Sequence, residues 1–258
     1  MAIKDFIEFI EGWLGKLNPE EGLLYGNPDN RVTGITVCWM VTEKVIDFSA
    51  EKSHNFIITH EDLLFPPGYA SSDSANLTEK PGMVSKKRID LLDRNGISVL
   101  RLHSLTDRHF ILDDVGKVLS LGEPVVKNGL QRVYEIQPVS LEKFAWGVKK
   151  SIGTPHIRVT GNKNQKVRRI GSLWGGVGLS INAGFINNIL NYKVDTVISG
   201  ESDEYTMRAL IDINVGLVEI GHETSEEPGL RNFANAVREK MKTVPVQYIS
   251  NNPPYKVL

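Results

Sequence analysis

The fold class is decided by residues 217–226, which read Leu217-Val218-Glu219-Ile220-Gly221-His222-Glu223-Thr224-Ser225-Glu226. The apolar run up to Ile220 predicts a buried strand, and the apolar spacing after the motif predicts an amphipathic helix. His222 and Glu226 supply an imidazole and a carboxylate, which are ligands for divalent cations. A histidine and a glutamate four residues apart are more often a surface pair, so this motif alone is weak evidence for a metal.

The same arrangement occurs twice more, each time where an apolar run ends in histidine and acidic residues. Residues 56–59 are apolar and lead into His60-Glu61, and residues 97–102 alternate like a strand and lead into His103-Ser104-Leu105-Thr106-Asp107. In parallel sheets, ligands gather beyond the carboxyl ends of the strands. The sequence therefore predicts an α/β protein with one metal site at the carboxyl ends of its strands.

The order of these three motifs resembles the dinuclear-metal family known as Nif-three-like, or GTP cyclohydrolase I type 2-like. That family has a strand ending in a His-His pair, a His-Thr-x-x-Asp motif and a late Gly-His-x-x-Ser-Glu motif. The resemblance covers nearly the whole chain. It implies two α/β domains with the metal site in the cleft.

The resemblance places the family's metal ligands on four positions of this chain, His60, Asp107, His222 and Glu226, and implies that Glu226 bridges two ions. The fifth ligand position departs from the family, because Glu61 stands where a second histidine is usual. A carboxylate can still coordinate, but it adds negative charge and favours harder metals. The resemblance therefore implies one or two divalent ions, without distinguishing Zn, Fe, Mn, Co or Ni.

The resemblance also implies roles for four residues around the metal ligands. Glu61 completes the second metal position or, if it is left free, acts as a general base, and His103 orients a ligand or carries a proton. Glu201 and Tyr205 are assigned to the substrate side, since Tyr205 stands where the family has a histidine. The alternative for this stretch is a plain helix N-terminus, with Glu201 placed favourably against the helix dipole.

The leading hypothesis is a divalent-metal-dependent hydrolase that uses a metal-activated water. The resemblance to GTP cyclohydrolase I type 2-like proteins implies a nucleotide-like small-molecule substrate, although no residue pattern identifies a guanine pocket. The alternative is a metal-binding scaffold or regulatory interaction protein without catalysis.

Composition limits the partners and the compartment. The 258 residues carry a net charge of −1, which gives no support to nucleic-acid binding. Cys38 is the single cysteine, so a disulfide within the chain is impossible. The sequence lacks a signal-peptide pattern and an apolar run of membrane-spanning length, which predicts a cytoplasmic protein. The resemblance implies a homo-oligomer, in the form of a ring-like hexamer.

Two domains are expected from the distribution of motifs. Residues 1–121 together with 214–258 should form a discontinuous metal-binding domain, and residues 122–213 should form an inserted second domain. The polar residues 71–74 predict a loop after the first motif, and such a loop is more often a plain surface loop than the border of a substrate site.

Overall fold

The chain forms two compact units. The computed structural model describes residues 1–67 and 82–256, so the loop predicted at residues 71–74 lies outside the described residues. The first unit comprises Met1–His109 and Leu230–Asn251, and the second comprises Phe110–Gly229 and the tail from Asn252.

The first unit is built on a five-stranded sheet in the order β1-β4-β3-β2-β11. Strands β2, β3, β4 and β11 are parallel neighbours, and β1 pairs with β4 in the antiparallel direction. The strands are β1 (Gly22–Tyr25), β2 (Ile35–Cys38), β3 (Phe56–Thr59), β4 (Ser98–Arg101) and β11 (Val246–Ile249). The helices that begin in this unit are α1 (Ile3–Leu14), α2 (Glu43–Glu51) and α3 (Met83–Asn95).

Local sequence explains these elements. Every residue of β2, β3 and β4 is buried, as expected for parallel strands covered on both faces. Helix α1 buries Ile3, Phe6, Ile10 and Leu14 at helical spacing. The Thr42 hydroxyl accepts a hydrogen bond from the Val45 amide and caps α2. Gly96 ends α3 in the left-handed conformation, with φ of 61°.

The segment after β4 is helical but irregular. A short turn at Ser104–Thr106 is followed by a π-helical turn at Asp107–Ile111 and by helix α4 (Leu112–Val118). Single π turns inside helices are frequent at functional sites.

The second unit is built on a six-stranded sheet in the order β5-β6-β8-β9-β10-β7. Its strands are β5 (Val126–Asn128), β6 (Gln131–Ser140), β7 (Arg158–Thr160), β8 (Lys166–Leu173), β9 (Thr196–Ser199) and β10 (Gly216–Glu219). Its helices after α4 are α5 (Leu141–Ile152), α6 (Ala183–Leu190) and α7 (Glu204–Asp212). Helix α8 (His222–Lys240) starts here, and its residues from Leu230 belong to the first unit.

The predicted α/β class is confirmed, but the boundaries of the units differ from the predicted ones. The second unit runs from residue 110 to residue 229, instead of from 122 to 213. The physical reason is β10, which pairs in parallel with β9 and in antiparallel with β7, and therefore completes the second sheet. His222 and Glu226 consequently belong to the second unit, whereas His60 and Asp107 belong to the first.

Within the described ranges 1–67 and 82–256, every helix is too short or too polar to cross a lipid bilayer.

Candidate metal centre

The first ligand set consists of His60, Glu61, His103 and Asp107, all in the first unit. His60 and Glu61 follow β3 directly, and His103 and Asp107 follow β4. Three of the four are buried, with 1% of His60, 6% of Glu61 and 8% of Asp107 exposed. His60 Nε2 lies 4.0 Å from Asp107 Oδ1, and ligand atoms of His60, Glu61 and His103 lie within 4.8 Å of one another. His60, Glu61 and His103 are close enough together to hold a metal ion, and Asp107 lies beside His60.

The tautomer of His60 follows from its contact with Thr106. The Thr106 hydroxyl lies 2.8 Å from the Leu102 carbonyl oxygen and 2.9 Å from that of His103, so its one proton is donated to the backbone. At 2.9 Å from His60 Nδ1, the hydroxyl oxygen must accept a hydrogen bond from the ring. This places the lone pair of a neutral His60 on Nε2, the atom that faces Asp107.

His103 is held by Glu20, a residue from the loop before β1. The His103 Nδ1–H group donates to Glu20 Oε1 at 3.1 Å, and the Ser104 hydroxyl donates to the same oxygen at 2.5 Å. The hydrogen bond from His103 is the main cause that lowers the pKa of Glu20 to about 2. The His103 ring lies against the His60 ring, with 4.5 Å between the centroids.

The second ligand set consists of His222 and Glu226 at the start of α8. Gly221 adopts φ of 105° just before the helix, a conformation that favours glycine. His222 Nε2 lies 3.5 Å from Glu226 Oε1. His222 Nδ1–H donates to Glu201 Oε2 at 3.0 Å, and this bond lowers the pKa of Glu201. The acceptor lone pair of a neutral His222 is therefore on Nε2, facing Glu226.

The turn after β8 forms one wall of the second ligand set. The Ser225 hydroxyl accepts a hydrogen bond from the Gly175 amide at 2.7 Å and donates to the His222 carbonyl oxygen at 2.8 Å. A Cβ atom on Gly175 would lie 1.9 Å from Glu226 Oε1 and 3.2 Å from His222 Nε2. The space that a side chain would fill is therefore occupied by the two ligand atoms.

The donor chemistry of both sets fits a divalent metal. Imidazole nitrogens suit Zn, Fe, Co and Ni, and carboxylate oxygens suit harder ions such as Mn. In each set the Nε2 atom of a histidine faces a carboxylate oxygen, and the other ring nitrogen is fixed by an oxygen. Such outer contacts are typical of metal-binding histidines.

The structure places the predicted residues in different surroundings. His60, Glu61, His103 and Asp107 come together in the first unit, and Glu201 comes together with His222 and Glu226 in the second. Tyr205 lies on the first turn of α7 with 81% of its area exposed.

Four residues that support the ligands were not predicted from the sequence: Glu20, Thr106, Gly175 and Ser225. Thr106 and Ser225 lie inside the quoted motifs, so their hydroxyls were available as a signal. Glu20 lies 83 positions before His103, and the sequence contains no pattern that links the two.

Comparison with known proteins places the chain in a family. Residues 1–254 match the family Duf34/NIF3 (NGG1p interacting factor 3). Several relatives carry the name GTP cyclohydrolase 1 type 2 homolog, among them two from Clostridium. The one from Clostridium perfringens is 23% identical, with 93% of each chain covered. The one from Clostridium acetobutylicum is 24% identical, with 99% of this chain and 98% of the relative covered.

A solved structure shows the same fold. The crystal structure of a Bacillus cereus protein related to NIF3 superposes with a TM-score of 0.79 at 16% identity, covering 100% of this chain and 99% of that one. Because the family match extends over nearly the whole sequence, the chain belongs to the Duf34/NIF3 (NGG1p interacting factor 3) family.

Proposed function

We propose that this protein is a divalent-metal-dependent hydrolase that acts on a nucleotide-like substrate. The name GTP cyclohydrolase 1 type 2 homolog, which relatives carry, supports the substrate class. The donor chemistry of the two ligand sets supports the metal.

The observation that carries the proposal is the matched orientation of two histidines. His60 and His222 each donate Nδ1–H to an oxygen, from Thr106 and Glu201, and each directs Nε2 towards a carboxylate. A histidine with a structural role alone has no need for this repeated arrangement. Fixing the tautomer before the metal arrives removes an ordering cost from binding.

The proposal assigns five residues to the metals: His60, Glu61, Asp107, His222 and Glu226. The family resemblance supports one or two ions, with Glu226 as the bridging ligand. A bound divalent ion would supply an activated water molecule as nucleophile near neutral pH.

His103 is the best candidate to accept the proton of the water. Its Nδ1–H is donated to Glu20, so a neutral ring keeps the lone pair of Nε2 available for a proton. Glu61 takes this role only if it does not bind metal. We assign Glu201 to orienting the His222 ring instead of to the substrate side. The exposed Tyr205 stays assigned to the substrate side.

Metal content is the first test. The full chain, purified without chelators or a metal-affinity column, is analysed for elements and then assayed for hydrolysis of nucleoside triphosphates. One or two ions per chain and turnover that EDTA abolishes are expected. Bound metal without turnover would refute the hydrolase and favour the scaffold, and a chain without metal would refute both.

The resemblance also supports a homo-oligomer, which we include in the proposal. Light scattering after size exclusion measures the mass, and six copies per particle are expected. A monomer would contradict this part alone.

A further inference from the structure

Arg101 is a buried cation beside the first ligand set. It is the last residue of β4, and only 4% of it is exposed. Its Nε–H donates to the His60 carbonyl oxygen at 3.2 Å, and its Nη1 donates to the Glu20 carbonyl oxygen at 3.4 Å. The guanidinium group is therefore fixed by the backbone.

Two carboxylates balance the charge of Arg101. Its Nη2 lies 4.0 Å from Glu61 Oε2, and its Nη1 lies 4.0 Å from Glu20 Oε2. The Glu20 side chain is 40% exposed and already accepts from His103 and Ser104, whereas the Glu61 side chain is 8% exposed. Coulomb interactions are stronger where water is excluded, so Glu61 is the main counter-charge of Arg101.

This pairing changes how strongly Glu61 can bind a metal ion. A carboxylate attracts hard cations through its charge and its oxygen donors. The neighbouring guanidinium cancels the charge but leaves the oxygen donors in place. Any cation at Glu61 must therefore compete with the positive charge of Arg101.

We propose that Arg101 is a specificity-determining residue. Its positive charge makes Glu61 a weak ligand for a hard divalent cation such as Mn²⁺. The inference rests on the proposed metal-binding function and deepens it. Arg101 reduces the affinity for Mn²⁺ more than that for Zn²⁺, because binding of the harder ion depends more on the Glu61 charge and less on imidazole nitrogen.

The test compares three variants of the full chain by calorimetric titration with Mn²⁺ and with Zn²⁺. Arg101→Met removes the charge but keeps an unbranched side chain, and Arg101→Lys keeps the charge. Arg132→Met is the matched control, because Arg132 is also 4% exposed but is bonded to Asp113 in the second unit. Arg101→Met should raise the Mn²⁺ affinity by about tenfold or more, within the range seen for outer contacts of metal ligands.

The expected pattern has three parts. Zn²⁺ affinity rises less than Mn²⁺ affinity in Arg101→Met, whereas Arg101→Lys and Arg132→Met stay within about twofold of the wild type. Adding Glu61→Gln abolishes the effect of Arg101→Met, because the carboxylate is then absent. Equal gains for both ions, or the same gain in the Glu61→Gln background, would overturn the inference.

A second measurement covers the case in which Arg101→Met folds poorly. Without metal, Glu61→Gln is compared, singly and together, with Arg101→Gln by thermal unfolding, because Arg101→Gln removes the charge but keeps an amide donor near the His60 carbonyl oxygen. The loss in Tm of the double variant should be smaller than the sum of the two single losses, and additive losses would overturn the pairing. If the wild type binds neither ion, the proposed function and this inference are refuted together. If the wild type binds both ions but the effects of the Arg101 and Glu61 substitutions are independent, only the inference is refuted.

Discussion

The two ligand sets orient a histidine in the same way but use different partners. His60 has a side chain that is 0% exposed, and its Nδ1–H is donated to the neutral hydroxyl of Thr106. His222 has a side chain that is 22% exposed, and its Nδ1–H is donated to the carboxylate of Glu201. Burying an ionised group costs more than burying a hydroxyl that is hydrogen-bonded. The more buried ring is accordingly held by a neutral oxygen and the more exposed ring by a charged one.

Removing Glu226 should have the largest effect on metal content. If Glu226 bridges two ions, Glu226→Ala removes a ligand from both, whereas Glu61→Ala removes a ligand from one. Glu226→Ala should therefore lose clearly more metal than Glu61→Ala in elemental analysis of purified chains. Equal losses would contradict the bridging role and make the two sets independent.

Closing the space at Gly175 should displace the ligand atoms of the second set. Gly175 has φ of 52°, and a Cβ atom there would meet Glu226 Oε1 at 1.9 Å. Gly175→Ala should lower the free energy of unfolding by about 3 kcal/mol, from left-handed strain and overpacking together, and should reduce metal content.

Gly153→Ala is the matched control for this variant. Gly153 has φ of 73° with nothing within 4 Å of the added Cβ, so only the left-handed strain of about 1–2 kcal/mol is expected. Equal destabilisation of the two variants in urea unfolding would show that the contact with Glu226 is unimportant.

Exchanging the oxygen partners tests the comparison directly. Thr106→Val leaves the buried Nδ1–H of His60 without its acceptor and should lower the free energy of unfolding by about 1–3 kcal/mol. Glu201→Gln keeps an acceptor near the half-exposed His222, so it should cost little stability but lower metal affinity by about tenfold. Unfolding without metal and calorimetric metal titration separate the two effects. The opposite pattern would refute the role assigned to burial.

Glu20 should make stability sensitive to acid by a small amount. Its pKa falls from 4.5 to about 2 in the folded chain, mainly through the hydrogen bond from His103. A lowered carboxyl pKa stabilises the fold above pH 4.5, and this stability is lost as the pH falls from 4.5 towards 2.

Because the Glu20 side chain is 40% exposed, screening reduces the contribution to about 1 kcal/mol. Glu20→Gln should flatten the curve of unfolding free energy between pH 5 and 2, measured in EDTA. A curve as steep as that of the wild type would assign the acid sensitivity to other groups.

Much of the fold could be predicted from short stretches of sequence. The apolar runs that end in His60 and before His103 are strands β3 and β4, and the predicted family resemblance is confirmed. These predictions succeeded because buried parallel strands leave a continuous apolar signal and because the metal-type residues follow each strand directly.

The unit boundaries and the supporting contacts were harder to predict. The assignment of β10 to the second sheet depends on pairing with β9, which an apolar run such as Leu217–Ile220 does not specify. The contact between Glu20 and His103 joins residues that are distant in sequence. Gly175 looks like an ordinary turn glycine until the carboxylate of Glu226 is placed beside it.

The pairing of β11 with β2 has a consequence for the order of folding. Asn251 accepts a hydrogen bond from the Met40 amide across 211 positions, so the first sheet needs the end of the chain. All strands of the second sheet lie between residues 126 and 219. During synthesis all strands of the second sheet emerge while the first sheet still lacks β11, so we expect the second sheet to form first. Pulse-labelled hydrogen exchange should then protect β8 and β9 before β2.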